Sequence, residues 1–298
     1  MKQLWGRRAV LGIPYAWLVA FFLIPLLIVA KISVSEIAQA VPPYEALFEF
    51  VDGKHVEVHA TLQNFILLFE DDLYVSAYFQ SLTIAGVSTL LCLLIGYPMA
   101  LGIARAPESQ RGPLLLLVIL PFWTSFLIRV YAWMGILKDE GLLNGLLMWL
   151  GVIDDPLIIL NTDIAVYIGI VYSYLPFMVL PLYASLEKLD PSLLEAAADL
   201  GAKPIKAFWA VTLPLSIPGI VAGSLLVFVP AVGEYVIPDL LGGGDTQMLG
   251  KALWDMFALN RDWPSAAALA VAMLAALAVP IAFFQKWQNR LEHPEGEE

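Results

Sequence analysis

Six stretches of this chain are long and apolar enough to cross a hydrocarbon layer, and nothing else constrains its fold as strongly. They cover about 9–30, 80–104, 113–137, 163–186, 215–238 and 265–285. Crossing a core of ~30 Å takes roughly 20 mostly apolar residues in a helix. Within lipid each backbone N–H and C=O must find a partner inside its own segment, which predicts helices. The ten-residue alternation of a membrane barrel is absent. Only 14% of the residues are charged, against about 25% in water-soluble domains. The pattern predicts an all-α membrane protein with six transmembrane helices in one domain, 1–298.

Lys and Arg set the orientation. With the N-terminus inside, inner segments carry ten basic residues and outer segments five, with Arg129 set aside as intramembrane. Both termini are therefore expected in the cytoplasm. Lys2, Arg7 and Arg8 ahead of an apolar run imitate a secretory signal, and Ala38-Gln39-Ala40 offers a cleavage-like triplet. A run of about 22 residues exceeds a signal core of about 7–15, which predicts a retained helix.

Three outer loops follow, about 31–79, 138–162 and 239–264. "TLQNFILLFEDD" in the first predicts a short amphipathic helix. "LKDEGLLNGLLMWLGVIDDP" in the second predicts a packed interfacial helix, and "LLGGGDTQ" in the third a flexible turn. Inside lie a short loop, 105–112, and a long one, 187–214. His55 and His59 stand four apart, but nothing nearby completes a metal site, and "HVEVH" alternates like a solvated strand. No metal site is expected. The one cysteine, Cys92, lies within the second apolar segment and reads as a small core residue. No G-x-x-x-x-G-K-[ST] loop and no hydrolase constellation occur, so a conduit or scaffold is expected rather than an enzyme.

The inner loop 187–214 contains the one sizeable amphipathic passage, "EAAADLGAKPIKAFWAVTLPL". Asp190-Pro191-Ser192 starts a helix: Asp or Ser caps exposed N–H groups, and Pro fits a first turn. Leu193, Leu194, Ala197 and Leu200 then form an apolar stripe, and Gly201 ends the helix. A second turn begins near Pro204 and leads to Leu213-Pro214. The result is an elbow presenting small Ala side chains with Glu195 and Asp199, either a docking knob or a connector lying on headgroups.

E195-A-A-x-x-x-G201 followed nine residues later by V211-x-L213-P214 resembles the EAA loop of bacterial ABC-importer permeases, with Val211 where that pattern has Ile. "LLIGYPMAL", "PFWTSFLIRVYAWMGIL", "PAVGEYVIPDLLGG" and "NRDWP" resemble the polyamine branch, most nearly its putrescine permease subunit. The resemblance implies a type I ABC-importer (MetI-like) permease fold in the bacterial inner membrane. Glu195, Ala196, Ala197, Asp199, Gly201, Leu213 and Pro214 are then implied to couple the chain to a cytoplasmic ATPase. The implied partners are a second homologous permease, an ATPase homodimer and a periplasmic polyamine-binding protein. This chain is expected to bind no cofactor, with ATP and Mg on the partner ATPase. Putrescine is the implied cargo. A spermidine-preferring importer subunit and a self-contained secondary amine transporter remain as alternatives.

The outer side carries eighteen carboxylates, Asp163 and Glu234 included, against five basic residues. Positive-inside sorting accounts for most of that excess. Glu234 and Asp239 stand out, because a carboxylate near a membrane helix usually faces a cavity, and Pro230 and Pro238 interrupt this stretch as in pathway-lining helices. Either acid holds an ammonium group, sits at the interface, or pairs with Arg129. Trp123, Tyr131, Trp133 and Tyr235 flank the same region, as cation-binding faces or as interfacial anchors. Arg129 would repel a diamine, so it is expected to be tied to a carboxylate or to carbonyls.

Overall fold

The computed structural model describes residues 2–51 and 55–292. They form two compact units, one from Met1–Val75 with Ala252–Glu298 and one from Ser76–Lys251.

In the first unit, the helix Lys2–Leu18 continues through a π turn, Val19–Leu23, into Ile24–Ser33. Pro25 has no N–H to give, and the ladder shifts so that the Ile24 N–H reaches Val19 O. The helix Trp263–Glu292 packs along Ile24–Ser33 and along the expected amphipathic helix, Gln63–Glu70. Asn64, buried on that short helix, donates to Ser33 O at 3.0 Å and Ser35 O at 2.9 Å. The side chain thereby fixes the carbonyls left free where Ile24–Ser33 ends. "HVEVH" forms one strand of an antiparallel hairpin, His55–Val58 against Phe48–Val51. His59 is described beside Glu57, while the His55 side chain lies outside the described residues.

The second unit is organised by Asp163–Leu186 packed against Leu213–Val232. Small residues allow that approach. A Cβ at Gly223 would come 2.8 Å from the Met178 sulfur, and one at Gly219 2.6 Å from Ser185 Cβ. Asp72–Arg105 completes the core with Cys92, Tyr97, Ala100 and Ile103. Arg111 pairs with Glu187 at 3.4 Å, bringing the two predicted inner loops together.

Among the described residues, four continuous helices are long and apolar enough to span: Val10–Ser33, Asp72–Arg105, Asp163–Leu186 and Pro204–Val232. The expected single helix over 113–137 is instead a broken pair, Glu108–Trp123 and Phe126–Trp149, bent by 89°. Thr124 and Ser125 are extended at the break, and the Thr124 hydroxyl returns to Pro121 O at 2.8 Å. The helix placed at 215–238 is shifted as well. It runs from Pro204 to Val232 and stops at Gly233, and the separate helix Val236–Leu241 follows.

The glycine turn expected to be flexible is held. Gln80 accepts from Gln247 N at 2.8 Å, Ser81 accepts from Leu249 N at 2.7 Å, and Thr246 donates to Asp163 at 2.6 Å. In the second outer loop, Leu142–Trp149 is the expected packed helix. Its buried Asn144 exchanges hydrogen bonds with the Leu157 backbone, at 2.9 Å each.

Candidate functional site: a cavity at the helix break and an exposed elbow

The two helix breaks of the second unit meet at one cavity of about 420 Å³, lined by Phe122, Thr124, Phe126, Arg129, Ser173, Tyr174, Phe177 and Glu234. Glu234 follows Gly233, where Leu213–Val232 ends, and is only 8% exposed. Its position is fixed from three directions. Oε1 accepts from Val236 N at 3.0 Å and lies 3.5 Å from Ile237 N, while Oε2 accepts from the Tyr174 hydroxyl at 2.5 Å. The first turn of Val236–Leu241 is thus capped by the carboxylate itself, as acids at helix starts do.

Gly250 packs behind it. Any Cβ there would collide with the carbonyl oxygens of Gly233 and Glu234, so only glycine lets the following helix close on this turn.

Arg129 occupies another wall. Nη1 donates to Pro121 O and, at 3.1 Å, to Thr124 O, the carbonyls that the bend frees. The guanidinium lies 5.1 Å from the Phe122 ring centre and 5.8 Å from that of Phe126. Its Nε is buried without a hydrogen-bond partner. Among the described residues, neither Arg129 nor Glu234 forms an ion pair. Arg129 is therefore tied to carbonyls, one of the two outcomes expected. The carboxylate is met by neutral donors, and no cation of this unit lies within ion-pair distance of it.

Of the residues singled out for the pathway, only Glu234 lines this cavity. Trp123 and Tyr131 are 71% and 57% exposed. Trp133 packs edge-on against Tyr172 at 5.3 Å. Tyr235 and Asp239 are exposed, and the two acids are not brought together around the cavity. The reason is the break at Gly233: past it the chain starts a new short helix, Val236–Leu241, on which Val236, Ile237 and Pro238 are buried while Asp239 is exposed. The aromatic wall missed in the sequence is Phe122, Phe126, Tyr174 and Phe177, with Phe122 and Phe177 edge to face at 5.3 Å. Ser173, Tyr174 and Phe177 share one helical face beside Pro176, a signal that was present but indistinguishable from ordinary packing.

The elbow is built as its sequence suggested. Asp190 accepts from Ser192 N at 2.9 Å, which caps Pro191–Asp199 and holds the Asp190 carboxyl below the usual carboxylate range. Gly201 has φ +79°, the Gly201 N–H returns to Ala198 O at 2.8 Å and the Ala202 N–H to Ala197 O at 2.9 Å. That pair of bonds is the Schellman closure, which favours a residue without Cβ at Gly201. Glu195, Ala196 and Asp199 are exposed and Ala197 is half-buried. The apolar stripe divides: Leu194 and Ala197 turn inward, whereas Leu193 and Leu200 face outward, Leu200 at 89% exposure. With Ile205 and Trp209 they leave a sizeable apolar surface uncovered.

Beyond the elbow, Pro204–Ala207 runs without interruption through a π turn, Phe208–Thr212, into Leu213–Val232. Pro214 cannot donate, and the Leu213 N–H reaches back to Phe208 O. Leu213 and Pro214 thus lie inside a continuous helix rather than at the start of one. Tyr97 braces the junction by a 2.9 Å hydrogen bond with Ser216 and an edge-to-face contact with Phe208 at 5.6 Å.

Residues 93–292 match the family of binding-protein-dependent transport system inner membrane components. The chain is 41% identical to the spermidine/putrescine transport system permease protein PotB of Haemophilus influenzae, covering 92% of this chain and 91% of that protein. It is 46% identical to PotB of Escherichia coli K12, over 74% of this chain and 80% of that protein. A solved bacterial alginate ABC transporter, in complex with a periplasmic protein carrying an alginate pentasaccharide, contains a chain with the same fold. The TM-score is 0.72 at 18% identity, over 97% of this chain and 96% of that one. Together with a fold of spanning helices, these matches place the chain in the binding-protein-dependent transport family as an inner-membrane permease of the ABC-importer type.

Proposed function

We propose that this permease moves polyamines inward as one half of an ATP-driven importer, and that the Glu234 cavity receives an ammonium group of the cargo. The observation that carries the reading is the buried, unpaired carboxylate of Glu234 among four aromatic rings. A carboxylate of this kind prefers a cation close by, and cation–π contacts of about 0.5–2 kcal/mol with each face add to the attraction. The names of the PotB relatives support polyamine cargo. Putrescine is the finer reading, and spermidine, a longer cation with the same end groups, is its rival.

The coupling proposal follows from the elbow. The partners are a second permease, a periplasmic binding protein, and an ATPase pair that holds ATP and Mg. The ATPase would seat the elbow by Glu195, Ala196, Ala197, Asp199 and Gly201 and by the exposed Leu200 and Ile205. Because the second limb of the elbow, from Pro204, runs on as one helix to Val232, a tilt there is carried to the residue before Gly233 and Glu234. In this reading the elbow faces the cytoplasm and the Gly233 break faces outward.

Uptake of labelled putrescine and spermidine into proteoliposomes, with and without the ATPase, tests the reading. ATP-dependent uptake of either is expected, with mutual competition. Uptake without the ATPase would sink it in favour of a gradient-driven transporter.

A further inference from the structure

We infer that Arg129 sets how firmly the cavity holds its cargo: its fixed positive charge opposes the second ammonium of a diamine whose first ammonium sits at Glu234. The inference rests on the polyamine reading above. Both groups line the same 420 Å³ cavity, and they are not paired with one another.

Each charge is held by neutral partners instead. The guanidinium is fixed by the carbonyls of Pro121 and Thr124 and by the faces of Phe122 and Phe126. The carboxylate is fixed by the Tyr174 hydroxyl and two backbone N–H groups. Neither can swing across to neutralise the other without giving up those bonds. A dication entering the cavity therefore meets one attractive and one repulsive charge at fixed positions. A monoamine with its ammonium at Glu234 has no second charge for Arg129 to repel. Arg129 is thus a specificity-determining residue that keeps diamine binding weak enough for release on every cycle.

The test is equilibrium binding of labelled putrescine, and of n-butylamine as the singly charged probe, to the purified importer without its binding protein. R129Q is expected to bind putrescine about ten-fold more tightly, the scale of one unit charge acting across a partly screened cavity, with much less change for n-butylamine. R129K, which keeps the charge, is expected to stay near the parent. In uptake, the double variant E234Q/R129Q is expected to recover part of what E234Q alone loses. Equal shifts for both amines in R129Q, or no shift, overturn the inference and leave the polyamine reading standing. The inference is also overturned if R129Q and R129M both fail to assemble while R129K assembles, because Arg129 then serves only to pin the bend. If the parent neither binds nor imports any polyamine, the reading itself fails.

Discussion

The cavity and the elbow are assembled in opposite ways. The elbow is a single run from Asp190 to Thr212, held by its own caps and exposed over most of its length. The cavity takes its walls from residues 122–129, 173–177 and 234, which meet only because two helices break beside a third. A local element tolerates change in its neighbours; a site made by convergence depends on every backbone that aims at it. The elbow therefore suits a part that must be recognised from outside by another protein. The cavity suits a part whose geometry must change as the helices move.

That contrast predicts how variants divide. The largest effect is expected for E234Q, since truncating one member of a buried charge interaction costs about 2–5 kcal/mol, or roughly 30-fold or more. Polyamine uptake should collapse while ATPase association persists, whereas E57Q, on an exposed strand, should leave uptake near the parent. Equal losses in E234Q and E57Q would remove Glu234 from the pathway.

Next comes Y174F, which removes one hydrogen bond to a charged acceptor, about 1.5–3 kcal/mol. Uptake is expected to fall by about ten-fold or more at saturating ATP, on the usual 1.4 kcal/mol per decade. Gly250→Ala should mimic it by displacing the Glu234 carbonyl, so similar uptake defects in the two, measured side by side, would tie Gly250 to the site.

In the elbow, Gly201→Val forces a β-branched residue to φ +79°, at about 1–2 kcal/mol for the left-handed conformation. The expected phenotype is a several-fold loss of uptake per ATP hydrolysed, with polyamine binding unchanged. Glu195→Arg should act in the same direction by reversing the charge of the docking face. If either variant weakened polyamine binding instead, the division between the two regions would be broken.

The smallest effect concerns the cap. Because the Asp190 carboxyl is held below its ordinary range, its stabilisation of the elbow is fully present above the unfolded value, about 3.9. It is lost as pH falls through the folded value. Amide exchange over Ser192–Glu195 should therefore quicken only in acid, and in D190A at every pH.

The elbow was legible because its signals are local. Asp190, Pro191 and Gly201 each act on backbone within a few residues, and their spacing alone sets where the helix starts and stops. Glu234 could be picked out because a carboxylate beside an apolar run needs a reason to be there. Its partners could not. Tyr174 and Phe177 look like any aromatic residues on a buried helix, and Trp123 and Tyr131 looked equally suitable but face outward.

Hydrophobic run length determined that the chain is helical and built to span lipid, because a backbone in hydrocarbon has few ways to satisfy its own hydrogen bonds. Short-range capping chemistry determined the elbow. Tertiary structure alone decided the 89° break, the pinning of the glycine turn and the separation of Glu234 from Asp239. Each of those depends on which distant group takes up a freed carbonyl or N–H, as Arg129 does for Pro121 and Gln80 for Gln247. Such pairings are settled by packing in space, and spacing along the chain carries no record of them.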